Sequence, residues 1–232
     1  MSAAATGAHV PVAALLGAIG CAAASPYLAR LTTSVPDRTL AQWWTGLPVT
    51  RSRVVVTAVV GTMLGALAGA AAGLGALLPA FVALALVCAP LVVIDYEVHR
   101  LPNRLVYVAV AGESVLLTVA AVAQNDWHRW LRGLEAAAAV LAVLFLLALA
   151  SPRSFGLGDV RLGGVLGGYL GWFGWGYVYY GIFAGFLLGA VVSLALIATR
   201  RAGLKTAIAF GPMLIFGALL VLAFDLVPAF AG

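Results

Sequence analysis

The sequence predicts an all-α fold: a polytopic integral membrane bundle of about eight transmembrane helices, forming a single domain over residues 1–232. Three observations predict it. The chain is 64% hydrophobic and only 9% charged, far outside the composition of a soluble domain. Its charge-free runs have the length of one bilayer crossing, about 20 residues, or of two. When the crossings are alternated through a bilayer, the basic residues fall almost entirely on one side.

The elements follow in order. Val10 to Ala29 is the first crossing. No Lys or Arg precedes it, so it reads as a retained span and not a cleaved signal peptide, and the cysteine of AIGC lacks the basic leader that lipidation requires. Leu31 to Arg53 is the largest connecting segment; its VPDRTLAQWWTGLPV suits a short amphipathic piece lying along the interface. Val54 to Ile94 holds no charged residue and fits two crossings, with a break near Gly73, Gly75 and Pro79. Leu105 to Val122 and Gly133 to Ala150 are single crossings. Leu162 to Thr199 again fits two, turning in GWFGWG, where Trp172, Trp175 and Tyr177 suit an interface. Thr206 to Phe224 is the last. Motifs such as GTMLG and GALAGA allow helices to approach closely, which indicates a bundle without indicating a function.

Arg30, Arg38, Arg51, Arg53, Arg100, Arg104, Arg153, Arg161, Arg200, Arg201 and Lys205 fall on one side, and Arg129 and Arg132 on the other. Cytoplasmic loops carry the excess of Lys and Arg. The expectation is therefore an inner-membrane protein with the larger set in the cytoplasm and both termini outside. Trp43 and Trp44, Trp127 and Trp130, and Trp172 and Trp175 each pair up near a predicted boundary. The basic excess orients the chain and does not make it a nucleic-acid binder, because no lysine-rich patch or nucleic-acid module accompanies it. Cys21 and Cys88 lie inside apolar runs with no CxxC pair, so both read as packing residues. No fixed-period repeat is present.

Eight carboxylates remain. Asp37, Asp126, Glu135 and Asp225 read as solvated or interfacial charges, with Glu135 at helical spacing from Arg132, and Glu97 as a solvated neighbour of Asp95. Glu113 falls mid-span in YVAVAGESVLL, where an ionisable group points inward to a partner, for structure or for function. Asp95 ends the run CAPLVVI, and Asp159 lies in SFGLGDVRL just before the sixth crossing. Both therefore sit at the cytoplasmic boundary. Asp159 could cap a helix after the turn at Gly156 and Gly158. Asp95 could snorkel, or pair with His99 or Arg100. Together they suit another chemistry, peptide hydrolysis by water. Two close carboxyls share one proton, so the ionised member can take a proton from water while its partner protonates the scissile carbonyl. Gly156 and Gly158, without a Cβ, leave room for a substrate backbone.

At these residues the sequence resembles the type IV prepilin peptidases, membrane aspartyl proteases of the GxGD type. The match consists of Asp95 followed by LPN at Leu101 to Asn103, GLGDVRL at Gly156 to Leu162, and AFGPML at Ala209 to Leu214, in that order and at one membrane face. It covers roughly Val54 to the C-terminus. The resemblance implies that Asp95 and Asp159 are the catalytic dyad, working on the cytoplasmic side without metal or cofactor. It implies as substrate a prepilin or pseudopilin precursor with a short basic leader ahead of a hydrophobic helix, cut in contact with membrane lipid. Pro102 and Asn103 are expected to shape the loop, proline ending one helix and asparagine capping the next. Gly211 and Pro212 are expected to open a span near the site, and Arg161, at a position often lysine in the family, to steady Asp159 or engage substrate. Many bacterial members carry a cysteine-rich loop and also N-methylate the product. Leu31 to Arg53 has no cysteine, so the resemblance does not carry methylation over to this chain.

Rival readings come from other classes. In a proton- or cation-coupled transporter, Glu113 and Asp95 would bind the ion, with matched halves and helices broken near the midplane. No matching halves are visible, and the acids cluster at one face. A non-catalytic assembly factor would not need both aspartates. A GxGD protease of the presenilin or signal-peptide-peptidase kind fits Tyr96 and GLGD but not LPN or the small size. Serine chemistry through Ser151 or Ser154 with His99 lacks a nucleophile turn.

Overall fold

The computed structural model describes residues 3–37, 40–150, 156–199 and 209–227. Eight α-helices run through them: α1 (Ala3–Ser34), α2 (Arg51–Ala72), α3 (Leu78–Val98), α4 (Asn103–Gln124), α5 (Trp127–Ala150), α6 (Leu157–Phe173), α7 (Trp175–Ala198) and α8 (Gly211–Ala223). The breaks fall where the glycines place them. Gly73, at φ 65°, closes α2 by donating its N–H to Gly69 O, and Gly174, at φ 151°, is the single residue between α6 and α7 inside GWFGWG. Both angles are open to glycine at little cost.

Six helices, α1 to α5 and α7, are long and apolar enough to cross a membrane. The other two are shorter: α6 has 17 residues and α8 has 13, against about 20 for a crossing. The expected bundle of about eight spans thus consists of six full-length helices and two short ones. The start of the expected last crossing at Thr206 lies outside the described residues, as do Arg38, Arg153, Arg200, Arg201 and Lys205.

Small residues set the helix contacts. A Cβ on Gly17 or Gly65 would overlap the backbone of the facing helix, and one on Gly69 would overlap Ala13, so α1 and α2 lie backbone to backbone. The two cysteines are fully buried, and the carbonyl of Cys21 lies 3.6 Å from where a Cβ on Gly61 would sit. Helix α6 is enclosed along almost its whole length, from Leu162 to Trp172. Glycines again permit this: a Cβ on Gly167 would lie 3.0 Å from Ala136 O of α5.

This enclosure corrects one expectation. Trp172 is not at an interface but fully buried, its indole N–H without a partner, whereas Trp175 is half exposed. Arg132 also differs from the sequence reading. It does not reach Glu135 but donates to the last carbonyls of α6, Gly171 O at 2.7 Å and Trp172 O at 2.6 Å, where a cation offsets the negative end of the helix dipole. Asp225 accepts the Tyr177 hydroxyl. Glu97 is more than a solvated neighbour: both of its oxygens lie 2.7 Å from Arg53 Nη2, while Arg53 Nη1 donates to Thr32 at 2.8 Å. That arginine ties α1, α2 and α3 together at one end of the bundle. At the same end the WWT turn (Trp43–Thr45) is pinned to α1 by Tyr27, whose hydroxyl donates to Trp44 O at 2.6 Å. The Arg104 guanidinium holds the segment from α4, 6.0 Å from the Trp43 ring centre and bonded to Asp37 O at 3.2 Å.

Candidate functional site

At that same end, two helix termini and a loop meet. Helix α3 stops because His99 turns into the left-handed region, φ 52°, and its N–H closes on Asp95 O at 2.8 Å. The chain then passes through Leu101 to Pro102, whose extended backbone (φ −72°, ψ 122°) starts α4. Asp95, one turn before the end of α3, is only 4% exposed, so it neither snorkels nor stands in solvent. It forms no ion pair with His99 or Arg100; the pairs among the described residues are Arg53–Glu97 and Arg129–Asp126. Its partner is the backbone N–H of Gly211, at 3.1 Å from Oδ2. Gly211 is the first residue of α8 and Pro212 the second, so the AFGPML motif presents an unused helix-terminal N–H to a carboxylate.

Asp159 lies in the first turn of α6, ahead of the apolar stretch that begins at Leu162. It is not the helix cap. That position belongs to Gly156, which makes no side-chain cap bond, and Asp159 sits three residues further in. Its Oδ1 is buried without a hydrogen-bond partner. Burial pushes the Asp159 carboxyl up and the Asp95 charge adds to the rise; the Gly156 N–H opposes both, leaving it at about 7 against an ordinary 3.8. The influence of Asp95 is the electrostatic sign that the two acids are neighbours.

Both aspartates line one cavity of about 640 Å³, together with His99, Leu101, Pro102 and Gly156. Leu101 joins the two sides. A Cβ on Gly158 would lie 2.8 Å from Leu101 Cβ, and a Cβ on Gly211 would lie 3.2 Å from one Leu101 methyl and 3.0 Å from Asp95 Oδ2. Gly158 therefore makes room for the leucine of LPN, and it lines the cavity beside Asp159 as well. Gly156 is exposed at the cavity wall, and a Cβ there would stand 3.2 Å from Asp159 Oδ2. Asn103 does not cap α4. It is the first helical residue, and its side-chain oxygen accepts Arg161 Nη1 at 2.6 Å. Arg161 accordingly fastens the start of α6 to the start of α4. Ser151 and Ser154 lie outside the described residues.

Sequence reasoning did not foresee Leu101 as the residue between the two glycines. Its signal was present, since LPN and both glycine motifs had been singled out, but only the fold brings them into contact. Glu113, expected to face inward, does so: its carboxyl lies over Gly168 of α6, where a Cβ would overlap Oε1.

Residues 80–194 match the type IV leader peptidase family, a stretch that holds α3 through most of α7 and leaves α1, α2 and α8 outside. No curated protein and no solved structure matches the chain. The segment that is similar to the type IV leader peptidase family is thus the one that carries both aspartates, the LPN loop and the GLGD turn.

Proposed function

We propose that the protein is an aspartic endopeptidase that removes the leader from a type IV prepilin or pseudopilin precursor, with Asp95 and Asp159 as its catalytic pair. The observation that carries this reading is the shared cavity: two carboxyls, 64 positions apart in sequence, line one space at the end of a membrane bundle, and the charge of one acts on the other. A carboxyl at about 7 holds a proton at neutral pH for roughly half the time, which suits a general acid. Asp159 then donates toward the scissile carbonyl oxygen, and its unpartnered Oδ1 is the surface a water or peptide group would satisfy. Asp95, oriented by the Gly211 N–H, takes the proton from the attacking water. As the tetrahedral intermediate collapses, the proton passes to the leaving amine and the pair returns to its starting state.

The basic residues support a cytoplasmic site. Arg53, Arg100, Arg104 and Arg161 all belong to the end of the bundle that holds the cavity, and the charge rule turns such an end inward. A precursor whose hydrophobic helix lies in the bilayer would bring the junction with its leader to that depth. The test is cleavage of a synthetic peptide, with a short basic leader, a glycine and an apolar helix, by the purified protein. Wild type is expected to cut at the junction, and Asp95→Ala and Asp159→Ala to leave the peptide intact. Cleavage by both variants would overturn the assignment.

A further inference from the structure

The two helices that carry the aspartates do not pack backbone on backbone. Among the described residues no Cα of α3 lies within 8 Å of a Cα of α6, and α8 lies against both. At the end away from the cavity, side chains bridge the gap: the Tyr169 ring of α6 meets the Phe81 ring of α3 at 5.0 Å between centres, and the Tyr169 hydroxyl donates to Ala80 O at 3.0 Å. At the aspartate end the bridge is Leu101. Its base faces α6, with Cβ, carbonyl oxygen and Cα 2.8, 3.4 and 3.6 Å from where a Cβ on Gly158 would sit. Its tip faces α8, with the two methyls 3.2 and 3.3 Å from where a Cβ on Gly211 would sit. Gly158 immediately precedes Asp159, and Gly211 gives its N–H to Asp95 Oδ2. One leucine side chain thus separates the backbone next to one acid from the backbone that holds the other. The Arg161–Asn103 hydrogen bond ties α6 to the same loop, two residues beyond Leu101, so the start of α6 is held against the leucine. Contacts this close leave little slack.

We infer that Leu101 is a positioning residue for the reaction: the length of its side chain sets the separation of the Asp95 and Asp159 carboxyls. The inference rests on the peptidase reading above for its catalytic meaning, whereas the spacing is a property of the substrate-free chain. Two carboxyls that share a proton are sensitive to their separation, because the Coulomb interaction changes steeply at short range. Proton transfer is sensitive as well, since misplacing a reacting group by about 1 Å costs up to about 10²-fold in rate. A spacer acts differently from a substrate contact. Altering a spacer changes how the charge of Asp95 acts on Asp159 with no substrate present, and lowers kcat. Altering a side chain that only touches substrate raises KM and leaves the substrate-free acids as they were. The other charged groups along the cavity, His99, Arg100 and Arg104, are the same in every variant compared.

The experiment uses the full chain in lipid nanodiscs. It measures the protonation midpoint of Asp159 by infrared difference spectroscopy, and the cleavage of a peptide with a short basic leader, a glycine and an apolar helix. Leu101→Ala removes the tip and lets the starts of α6 and α8 close on each other, so the midpoint is expected to rise. Gly158→Ala adds a methyl at the base and forces them apart, so it is expected to fall. Each change is expected to be about half a pH unit, the effect of moving one charge by about 1 Å in a partly buried site. In both variants kcat is expected to drop about ten- to hundredfold, with KM within about twofold of wild type. The double variant, longer at one end and shorter at the other, is expected to return the midpoint towards wild type and to turn over at least about threefold faster than either single variant. Leu101→Met, of nearly equal volume, is expected to behave as wild type. Midpoints that stay at the wild-type value in both single variants, or move the same way in both, overturn the inference, as does a double variant whose losses simply add. If wild type cuts the peptide while those midpoints stay put, the peptidase reading stands without the spacer. If the midpoints move as expected in a chain that never cuts the peptide, the spacer stands and the peptidase reading falls.

Discussion

The end of α3 and the start of α6 each present one aspartate to the same cavity, yet they treat it in opposite ways. A helix C-terminus is a poor place for a carboxylate, since the helix dipole is negative there. Asp95 is held in spite of this, buried and bonded to the N–H that begins α8. The start of α6 is favourable ground for a negative charge, yet Asp159 is raised to about 7 because it is buried beside Asp95 with one oxygen unpartnered. The comparison shows one acid fixed and the other left unsatisfied. Such asymmetry is what a pair needs if one member is to act as base and the other as acid.

The hardest way to break the comparison is to remove either acid. Asp95→Asn and Asp159→Asn are each expected to lower kcat/KM on a prepilin-like peptide by about 10²- to 10⁴-fold, the range for losing a positioned proton-transfer group. A loss confined to one variant would mean that the two ends do not work together. Next in size is the leucine between them. Gly158→Ala places a methyl 2.8 Å from Leu101 Cβ, and Gly211→Ala places one 3.0 Å from Asp95 Oδ2. Overpacking of this kind costs about 1–3 kcal/mol, so a drop in activity of about tenfold is expected from each in the cleavage assay. Gly156→Ala, whose Cβ stands at the open cavity wall, is expected to cost less.

How much of this was legible in the sequence depends on whether a signal is local. The helix count and the breaks were readable because charge-free length and glycine conformation belong to the segments themselves. Gly73 and Gly174 sit where the apolar runs were expected to turn. Asp95 and Asp159 stood out because a carboxylate is rare in such a chain. What could not be read was which residue uses which neighbour. GLGD looks like a helix cap followed by open space, but its second glycine accommodates Leu101 from 57 positions earlier. Asn103 looks like a cap but binds Arg161. Trp172 resembles its partner Trp175 in sequence, and only the enclosure of α6 separates a buried tryptophan from an exposed one. These contacts are long-range, and periodicity carries no information about them.

Smaller effects sharpen the contrast. The raised carboxyl of Asp159 means that the folded chain keeps a proton that the unfolded chain releases. Below about pH 4 both forms hold it; between that and about 7 only the fold does, so stability falls as pH rises and the fall is complete above about 7. Thermal unfolding in detergent is expected to show this decline, and Asp159→Asn to flatten it. Activity should trace a bell for the same reason, losing the base at low pH and the shared proton above about 7. Arg161→Gln is expected to reduce kcat/KM only a few-fold, since it removes one partly exposed hydrogen bond between α6 and α4.

The coupling of the two acids can be measured directly by following protonation of the Asp159 carboxyl by infrared difference spectroscopy on ¹³C-aspartate-labelled protein, with Asp159→Asn as the reference. In the wild-type chain the midpoint is expected near 7, and in Asp95→Asn, where the neighbouring charge is gone, it is expected to move down while burial keeps it above 3.8. A midpoint that does not move when Asp95 loses its charge would contradict the claim that the two aspartates form one catalytic pair.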